Sequence, residues 1–382
     1  MRIALLIERL DPARGGTETW VSDFAAECAG GGHDVHVFAR EGSAVPEGVT
    51  LHAVAVSGVG RAMRTVSFAQ NCEAMLGEHD FDIIHGVGKT VAQNVYQPHG
   101  GVHAATLEAN LRMGGAVSAA FKRLGYRLSL KQRVFRRIER AQYVERPAQV
   151  FVALSEMVKR DMQRFYSVPD AKVEVVHNGV DVERFHPRNR ERCRAAFRKQ
   201  FRIGEDETVF LVVAHNFHLK GVPELVRCVT GKFPPCRLVV VGGGNADQLI
   251  PFAGRREPGR VLFIGAVVDT APCYAAADAY VHPTWYDPCS LVVLEALASG
   301  LPVVTTSMNG ASELMSDGEE GFVIPPGDPR RLRAALVALL DGALREKMGN
   351  AARILAEAHT TTHNVRQMMD VYERVLHPEG TA

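Results

Sequence analysis

An alternation, run through twice, of short β-rich apolar runs with longer stretches of helical periodicity sets what this chain can fold into. Strand-like runs fall at residues 3–7, 34–38, 50–56, 82–85, 150–153 and 172–177. After the charged stretch 188–192 they resume at 209–213, 237–241, 261–264, 279–282, 302–305 and 321–324. Strands separated by helices are joined by crossovers, so the pattern specifies an α/β fold of parallel sheets covered by helices. The length of 382 residues suits two such doubly wound, Rossmann-like domains. The expected division is 1–187 and 188–359, with a last helix at about 360–382 crossing back to the first domain. Apolar residues at 365, 368, 369, 372 and 375 give that helix its stripe. Ligands collect outside the carboxyl ends of strands in such sheets, so two facing sheets would hold an active site in the cleft between them.

The formal charge is +1, from 44 basic and 43 acidic residues, so the whole molecule has no net field to draw in nucleic acid. That balance hides a local excess. Residues 112–146 hold ten Lys and Arg against Glu139 and Glu145, a local charge of +8. Phe121, Leu124, Leu128, Val134, Phe135, Ile138 and Ala141 are interleaved with them, as in a basic amphipathic helix or helix pair suited to an anionic membrane surface. A solvated face of an ordinary helix has the same composition. The seven cysteines are scattered and form no C-x-x-C pair, which excludes a disulfide framework and a zinc knuckle. The opening apolar run is too short for a signal peptide and no eighteen apolar residues follow one another, so a cytoplasmic protein is expected. No His, Cys, Asp or Glu grouping has metal spacing, and neither a metal nor a cofactor is expected.

The densest chemistry lies in His282-Pro283-Thr284-Trp285-Tyr286-Asp287-Pro288-Cys289-Ser290-Leu291-Val292-Val293-Leu294-Glu295-Ala296. A strand ends at His282, Pro288 breaks the chain, Ser290 stands as an N-cap, and an apolar helix runs to Ser299 before Gly300. A helix N-terminus carries about half a positive charge and receives phosphate readily. Asp287 and Glu295 flank it and are placed to grip hydroxyls at either end of a nucleotide sugar. The same spacing also fits an Asp that complements the dipole and a Glu paired with a surface cation. Ala214-His215-Asn216-Phe217-His218-Leu219-Lys220-Gly221-Val222 follows a strand and opens a helix near Pro223. Lys220 thus stands at a strand's carboxyl end, either to meet an anion or as a solvated lysine. Gly15-Gly16-Thr17-Glu18 joins the first strand to the first helix, where small residues admit close backbone approach or simply make a tight turn. Gly242-Gly243-Gly244 begins a dinucleotide fingerprint, but the third glycine position holds Asp247, which weakens a nicotinamide reading. His99, in Gln97-Pro98-His99-Gly100-Gly101-Val102-His103, lies in a first-half loop; a lone histidine is as readily structural as reactive.

These segments resemble the retaining, GT-B-fold glycosyltransferases of family 4. So does Val175-Val176-His177-Asn178-Gly179-Val180-Asp181-Val182-Glu183-Arg184-Phe185-His186-Pro187, with Ala153-Leu154-Ser155-Glu156 ahead of it, although Asn178-Gly179 is also an ordinary turn former. The likeness spans nearly the whole chain. The family pattern is Glu, seven residues, Glu; here Asp287 stands at the first position and Glu295 at the second. The resemblance implies that Asp287 contacts donor-sugar hydroxyls and that the backbone of Pro288, Cys289, Ser290 and Leu291 holds sugar and diphosphate. It gives Glu295 the ribose and Lys220 the leaving diphosphate. Where the family has an Arg five residues before this Lys, the chain has His215, which with His218 would have to donate in its place. Gly15 and Gly16 would border the reaction centre, and His99 would reach the transferred sugar or its phosphate, with His103 as the alternative. Ala275-Ala276-Ala277-Asp278 and Gly300-Leu301-Pro302-Val303-Val304-Thr305-Thr306 direct the likeness toward the lipopolysaccharide core glucosyltransferase I type.

The expected activity is transfer of a sugar, glucose from UDP-glucose, to a glycolipid or lipopolysaccharide-core acceptor, by a front-face retaining route without metal. The expected partners are the nucleotide diphosphate sugar, the acceptor and, through 112–146, the inner face of the cytoplasmic membrane. Three alternatives remain open: a hexosyltransferase using GDP-mannose or another UDP-sugar, a sugar-nucleotide epimerase of the same fold, and a non-catalytic nucleotide- or glycan-binding protein.

Overall fold

The computed structural model describes all residues except 13–14, 43–44, 114–115, 231, 251–258 and 378–382. Packing divides the chain into two units, Met1–Asn178 with Thr361–Ala382, and Gly179–Thr360. The first unit ends at Asn178 rather than at residue 187. Val180 pairs with Thr360, and the Arg353 guanidinium donates to the carbonyls of Val182 and Phe185, which stitches the following segment into the second unit.

The first unit is built on a seven-stranded sheet ordered Val49–Ala53, Asp34–Ala39, Arg2–Leu6, Ile83–Gly86, Val95–Tyr96, Val150–Ala153, Val173–Val175. All its pairs are parallel, with Ile3 in register with Val35 on one side and Ile83 on the other. A central parallel strand is covered on both faces, which is why Ile3-Ala4-Leu5-Leu6 is continuously apolar and fully buried. The two-residue strand Val95–Tyr96 is too short to leave a periodic signal, and sequence reading passes over it. The closing helix Thr361–Leu376 belongs to this unit: Trp20 Nε1 donates to Asn364 Oδ1 at 2.9 Å, and Tyr372 Oη lies 2.7 Å from His85 Nδ1. Burial of Met368, Val371 and Tyr372 contributes roughly 1.5–3 kcal/mol per side chain to that docking.

The second unit holds a six-stranded parallel sheet ordered Val261–Gly265, Arg237–Val241, Val209–Val213, Ala279–His282, Val303–Thr306, Gly321–Ile324. Phe210, Val212, Leu238, Val240, Val281 and Val304 form its core together with Leu225 and Val226 of helix Val222–Val229 and Leu332 and Leu336 of helix Pro329–Ala338. In both units the first strand lies inside the sheet and the chain builds outward on one side, then the other. Each sheet therefore has a point where strand order reverses, between Arg2–Leu6 and Ile83–Gly86 in the first and between Val209–Val213 and Ala279–His282 in the second. Such switch points open a crevice at the strands' carboxyl ends.

Candidate functional site

In the second unit the two loops that leave the switch point are pressed together. Gly221 has φ of 70°, and a Cβ there would collide with the carbonyl of Pro283. The carbonyl of Leu219 accepts from the Trp285 N–H at 2.8 Å and from Thr284 Oγ1 at 3.0 Å. This packing carries Lys220 onto Asp287, with Nζ 2.6 Å from Oδ2. His282, the last residue of its strand, approaches the same oxygen with Nε2 at 3.0 Å, and its Nδ1 lies 3.2 Å from the Tyr280 hydroxyl. The Asp287 peptide is held on both sides, its N–H donating to Met308 O at 2.9 Å and its carbonyl accepting from the Gly310 N–H at 2.8 Å.

Burial by itself would push the Asp287 carboxyl up. The charge of Lys220 and the hydrogen bonds from His282 and Lys220 outweigh it and hold the carboxyl far below the usual range. His282 is shifted down by burial, against a partial counter-pull from Asp287, and so is neutral at pH 7. A carboxylate only accepts, so Nε2 carries the ring proton and Nδ1 faces Tyr280 as an acceptor. The result is a rigid row from Tyr280 through His282 and Asp287 to Lys220, whose ammonium keeps about a fifth of its side chain exposed.

Helix Leu291–Ala298 starts beside this row. Ser290 occupies the N-cap position, but its hydroxyl makes no capping bond to the first turn. Instead its backbone N–H donates to Oδ1 of the fully buried Asn309 at 3.2 Å, and Asn309 Nδ2 is fixed by Thr305 Oγ1 at 3.0 Å. Cys289 is buried and Leu291 half-buried. Glu295 is half-buried, and its Oε2 accepts from the Tyr274 hydroxyl at 2.7 Å. His215 is exposed, with its Nδ1 3.8 Å from where a Cβ on Gly243 would stand. The glycine run has a packing reason: a Cβ on Gly242 would strike the Ala214 carbonyl, and one on Gly244 would lie 2.5 Å from the Phe217 ring.

In the first unit, helix Gly16–Gly30 starts at the expected glycines. Gly15 is extended, and a Cβ there would lie 3.0 Å from Glu18 Oε2, the movable end of a side chain. His99 is buried against Trp20, ring centroids 4.4 Å apart, with Nε2 3.1 Å from Gln97 Oε1. Burial, with a smaller push from His85, lowers its pKa to about 3, so it enters any reaction as a neutral imidazole. His103 is held at Nε2 by Gln132 Oε1 at 2.7 Å, and burial takes it down to about 4.

The basic segment forms helices Ala116–Leu128 and Leu130–Arg140 and a π-helical turn Ala141–Glu145; residues 114–115 lie outside the described residues. Phe121, Leu124, Leu128 and Leu130 are exposed, whereas Phe135 and Ile138 turn into the unit. Among the described residues no helix is long and apolar enough to cross a membrane, and no group of three or more His, Cys, Asp or Glu is arranged to hold a metal ion.

Sequence reasoning thus placed Lys220, Asp287 and Glu295 on one end of the second sheet, and the structure brings Lys220 and Asp287 into contact. It missed His282, Asn309 and Tyr274. A histidine ending the strand beside a switch point, five residues before a loop aspartate, is the one signal that would have found His282.

Residues 14–184 match the model for Glycosyltransferase Family 4, and residues 194–355 match that for Glycosyl transferases group 1. The chain is 26% identical to the lipopolysaccharide glucosyltransferase WaaG of Escherichia coli over 90% of this chain and 91% of that protein. It is 27% identical to the phosphatidyl-myo-inositol mannosyltransferase of Mycobacterium tuberculosis over 98% and 97%. With an uncharacterized glycosyltransferase of Methanocaldococcus jannaschii, 27% identical, the match takes in 60% of this chain and 61% of the relative. The crystal structure of WaaG superposes with a TM-score of 0.83 at 24% identity, covering 97% of this chain and 99% of that one, which establishes the GT-B fold.

Proposed function

The chain belongs to the GT-B glycosyltransferases, with a family 4 amino-terminal and a group 1 carboxyl-terminal part, and on that basis we propose that it transfers glucose from UDP-glucose to a hydroxyl of a membrane-borne glycolipid or lipopolysaccharide core, with retention. The observation that carries the reading is the fixed row His282, Asp287, Lys220 at the switch point of the second sheet, beside a helix N-terminus. Such a place holds a diphosphate on backbone N–H groups and an ammonium. Donor binding draws the Lys220 ammonium toward the diphosphate while Asp287, still anchored by His282, turns to the sugar hydroxyls. Glu295, steadied by Tyr274, receives the ribose. The bond from the sugar's anomeric carbon to the β-phosphate oxygen breaks, the acceptor oxygen bonds to that carbon on the same face, and the acceptor's proton leaves on the departing diphosphate. Lys220 and the helix N-terminus offset the growing negative charge, a task a metal performs in other sites, so activity in excess chelator is expected to equal that without it. His99, kept neutral by burial, is the first unit's candidate donor to the transferred sugar.

The basic helices 116–140, with Phe121, Leu124, Leu128 and Leu130 exposed among their arginines and lysines, support docking on the anionic inner face of the cytoplasmic membrane. The testing experiment is a donor panel of UDP-glucose, UDP-galactose and GDP-mannose, with and without a crude lipid fraction, following nucleotide diphosphate release. Release that needs both UDP-glucose and lipid supports the proposal. Conversion of a UDP-sugar without lipid makes the protein an epimerase, and binding without turnover makes it a non-catalytic nucleotide- or glycan-binding protein.

A further inference from the structure

The switch point of the first unit holds a lysine in a very different state. Lys89 lies in the loop that leaves strand Ile83–Gly86, within electrostatic reach of Glu8, which follows the neighbouring strand Arg2–Leu6. The loop is held in place: Gln142, buried in the π-helical turn, donates through Nε2 to Gly88 O at 2.9 Å and to Thr90 O at 2.7 Å, and its Oε1 accepts from the Tyr96 hydroxyl at 3.0 Å. Single π-turns inserted in helices recur at functional sites.

Although its backbone is fixed, the Lys89 ammonium has no hydrogen-bond acceptor among the described residues; it stands 4.6 Å from the Phe135 ring centroid, on which Lys131 Nζ also sits at 5.7 Å. Glu139, the nearest buried carboxylate, is taken up by others: Oε1 accepts from the His103 N–H and Oε2 from the Tyr166 hydroxyl, each at 2.5 Å. Glu8 Oε1 accepts from Thr65 Oγ1 at 2.8 Å. Around the crevice the ammonium of Lys89 is joined by Lys131, Arg61 and Arg136, against Glu8 and Glu139. In the same loop Thr90 Oγ1 and both ends of the Gln93 amide are buried without a hydrogen-bond partner among the described residues. Buried polar atoms are costly to leave unpaired, and here those of Thr90 and Gln93 share a fixed loop with a half-buried ammonium that no carboxylate has taken up, which suits an external ligand.

We propose that this crevice binds an oxyanion group, phosphate or carboxylate, and that the acceptor carries it; the assignment to the acceptor rests on the transferase reading above, whereas the oxyanion site does not. Lys89 is its main ligand, with Thr90 and Gln93 completing the hydrogen bonds. An acceptor with such a group near the reacting hydroxyl is then preferred over its neutral counterpart.

The test uses the whole wild-type chain and needs no turnover. Lysines are acetylated briefly with acetic anhydride and the labelling of each is read by peptide mass spectrometry, in methyl phosphate, in glucuronate or in sodium chloride at matched ionic strength. The site predicts that Lys89 labelling slows about tenfold in at least one of the two oxyanions relative to chloride, the free-energy equivalent of about one charge-assisted hydrogen bond. The exposed Lys199 and Lys347 label equally in all three. Slowing in methyl phosphate alone identifies a phosphoryl group, and slowing in glucuronate alone a carboxylate. Equal labelling of Lys89 in all three salts overturns the proposal. In parallel, Lys89→Met should erase any thermal stabilisation by the effective anion. A protein that transfers no sugar yet shows protection retains the oxyanion site and loses only the acceptor assignment.

Discussion

The two switch points share a topology and differ in charge balance. In the second unit Lys220 is satisfied, 2.6 Å from a carboxylate that is itself anchored by His282. In the first unit Lys89 faces an aromatic ring and already occupied carboxylates. The same kind of crevice can thus be kept closed by an internal counter-ion or left open for an external one. A ligand entering the second must compete with Asp287. One entering the first meets a half-buried ammonium that packs on an aromatic ring and has no hydrogen-bond acceptor among the described residues.

The sharpest contrast between the two crevices comes from removing each lysine. Lys220→Ala leaves Asp287 buried with His282 alone, and unfolding in denaturant is expected to show a loss of about 3 kcal/mol, the low end for a broken buried pair because Lys220 is partly exposed. Turnover in the same variant should fall about a hundredfold or more. Lys89→Met removes an ammonium with no acceptor, so the same titration should show stability held or raised by up to about 1 kcal/mol. Equal losses at both positions would erase the contrast.

The next effect is acid sensitivity. His85, His99 and His103 of the first unit are lowered by burial to about 3, 3 and 4. Below their unfolded value of 6.5 the unfolded chain takes up protons that the folded unit refuses, so their stabilisation, complete above pH 6.5, is lost as pH falls from 6.5 toward 4. The slope is about 1.4 kcal/mol per pH unit for each histidine. In the second unit His282 is likewise lowered, but Asp287 pulls against the shift, and Asp287, held far below 3.8, keeps its charge across that window. Trp20 reports on the first unit and Trp285 on the second. Fluorescence of the two single-tryptophan variants should show Trp20 losing its folded signal at the higher pH; coincident transitions would contradict this.

A smaller effect is expected at the donor end. Glu295→Gln keeps the contact with Tyr274 but removes the charge, and should raise the donor KM about tenfold with little change in kcat. A fall in kcat at constant KM would move Glu295 from the ribose to the reaction.

Much of this is legible in the amino-acid sequence. Parallel strands buried on both faces read as unbroken apolar runs, as Val209–Val213 does, and the loops at their carboxyl ends point to Lys220 and Asp287. Their contact is not legible, because 67 residues separate them and only the fit of Gly221 under Pro283 brings them together. Ser290 reads as a self-sufficient cap, yet the group that orders it is an asparagine 19 residues away. In the basic segment composition announces an amphipathic surface. It does not say that Phe135 and Ile138 pack inward while Phe121 and Leu124 stay exposed, because adjoining helices carry apolar stripes of one kind. The isolation of Lys89 depends on Tyr166 and a backbone N–H reaching Glu139 first, which no spacing encodes.

Whether the crevice beside Lys220 and Asp287 receives a nucleotide sugar and passes its sugar on is tested most directly by incubating the chain with UDP-glucose labelled at the anomeric carbon and an extracted membrane lipid fraction. The label is followed by NMR in wild type and in Lys220→Ala. The expected result is an α-linked glucosyl product formed in step with free UDP in wild type and at most about a hundredth of that rate in the variant. A label that stays on the nucleotide in the presence of every lipid, or an undiminished rate in Lys220→Ala, would refute that role for the crevice.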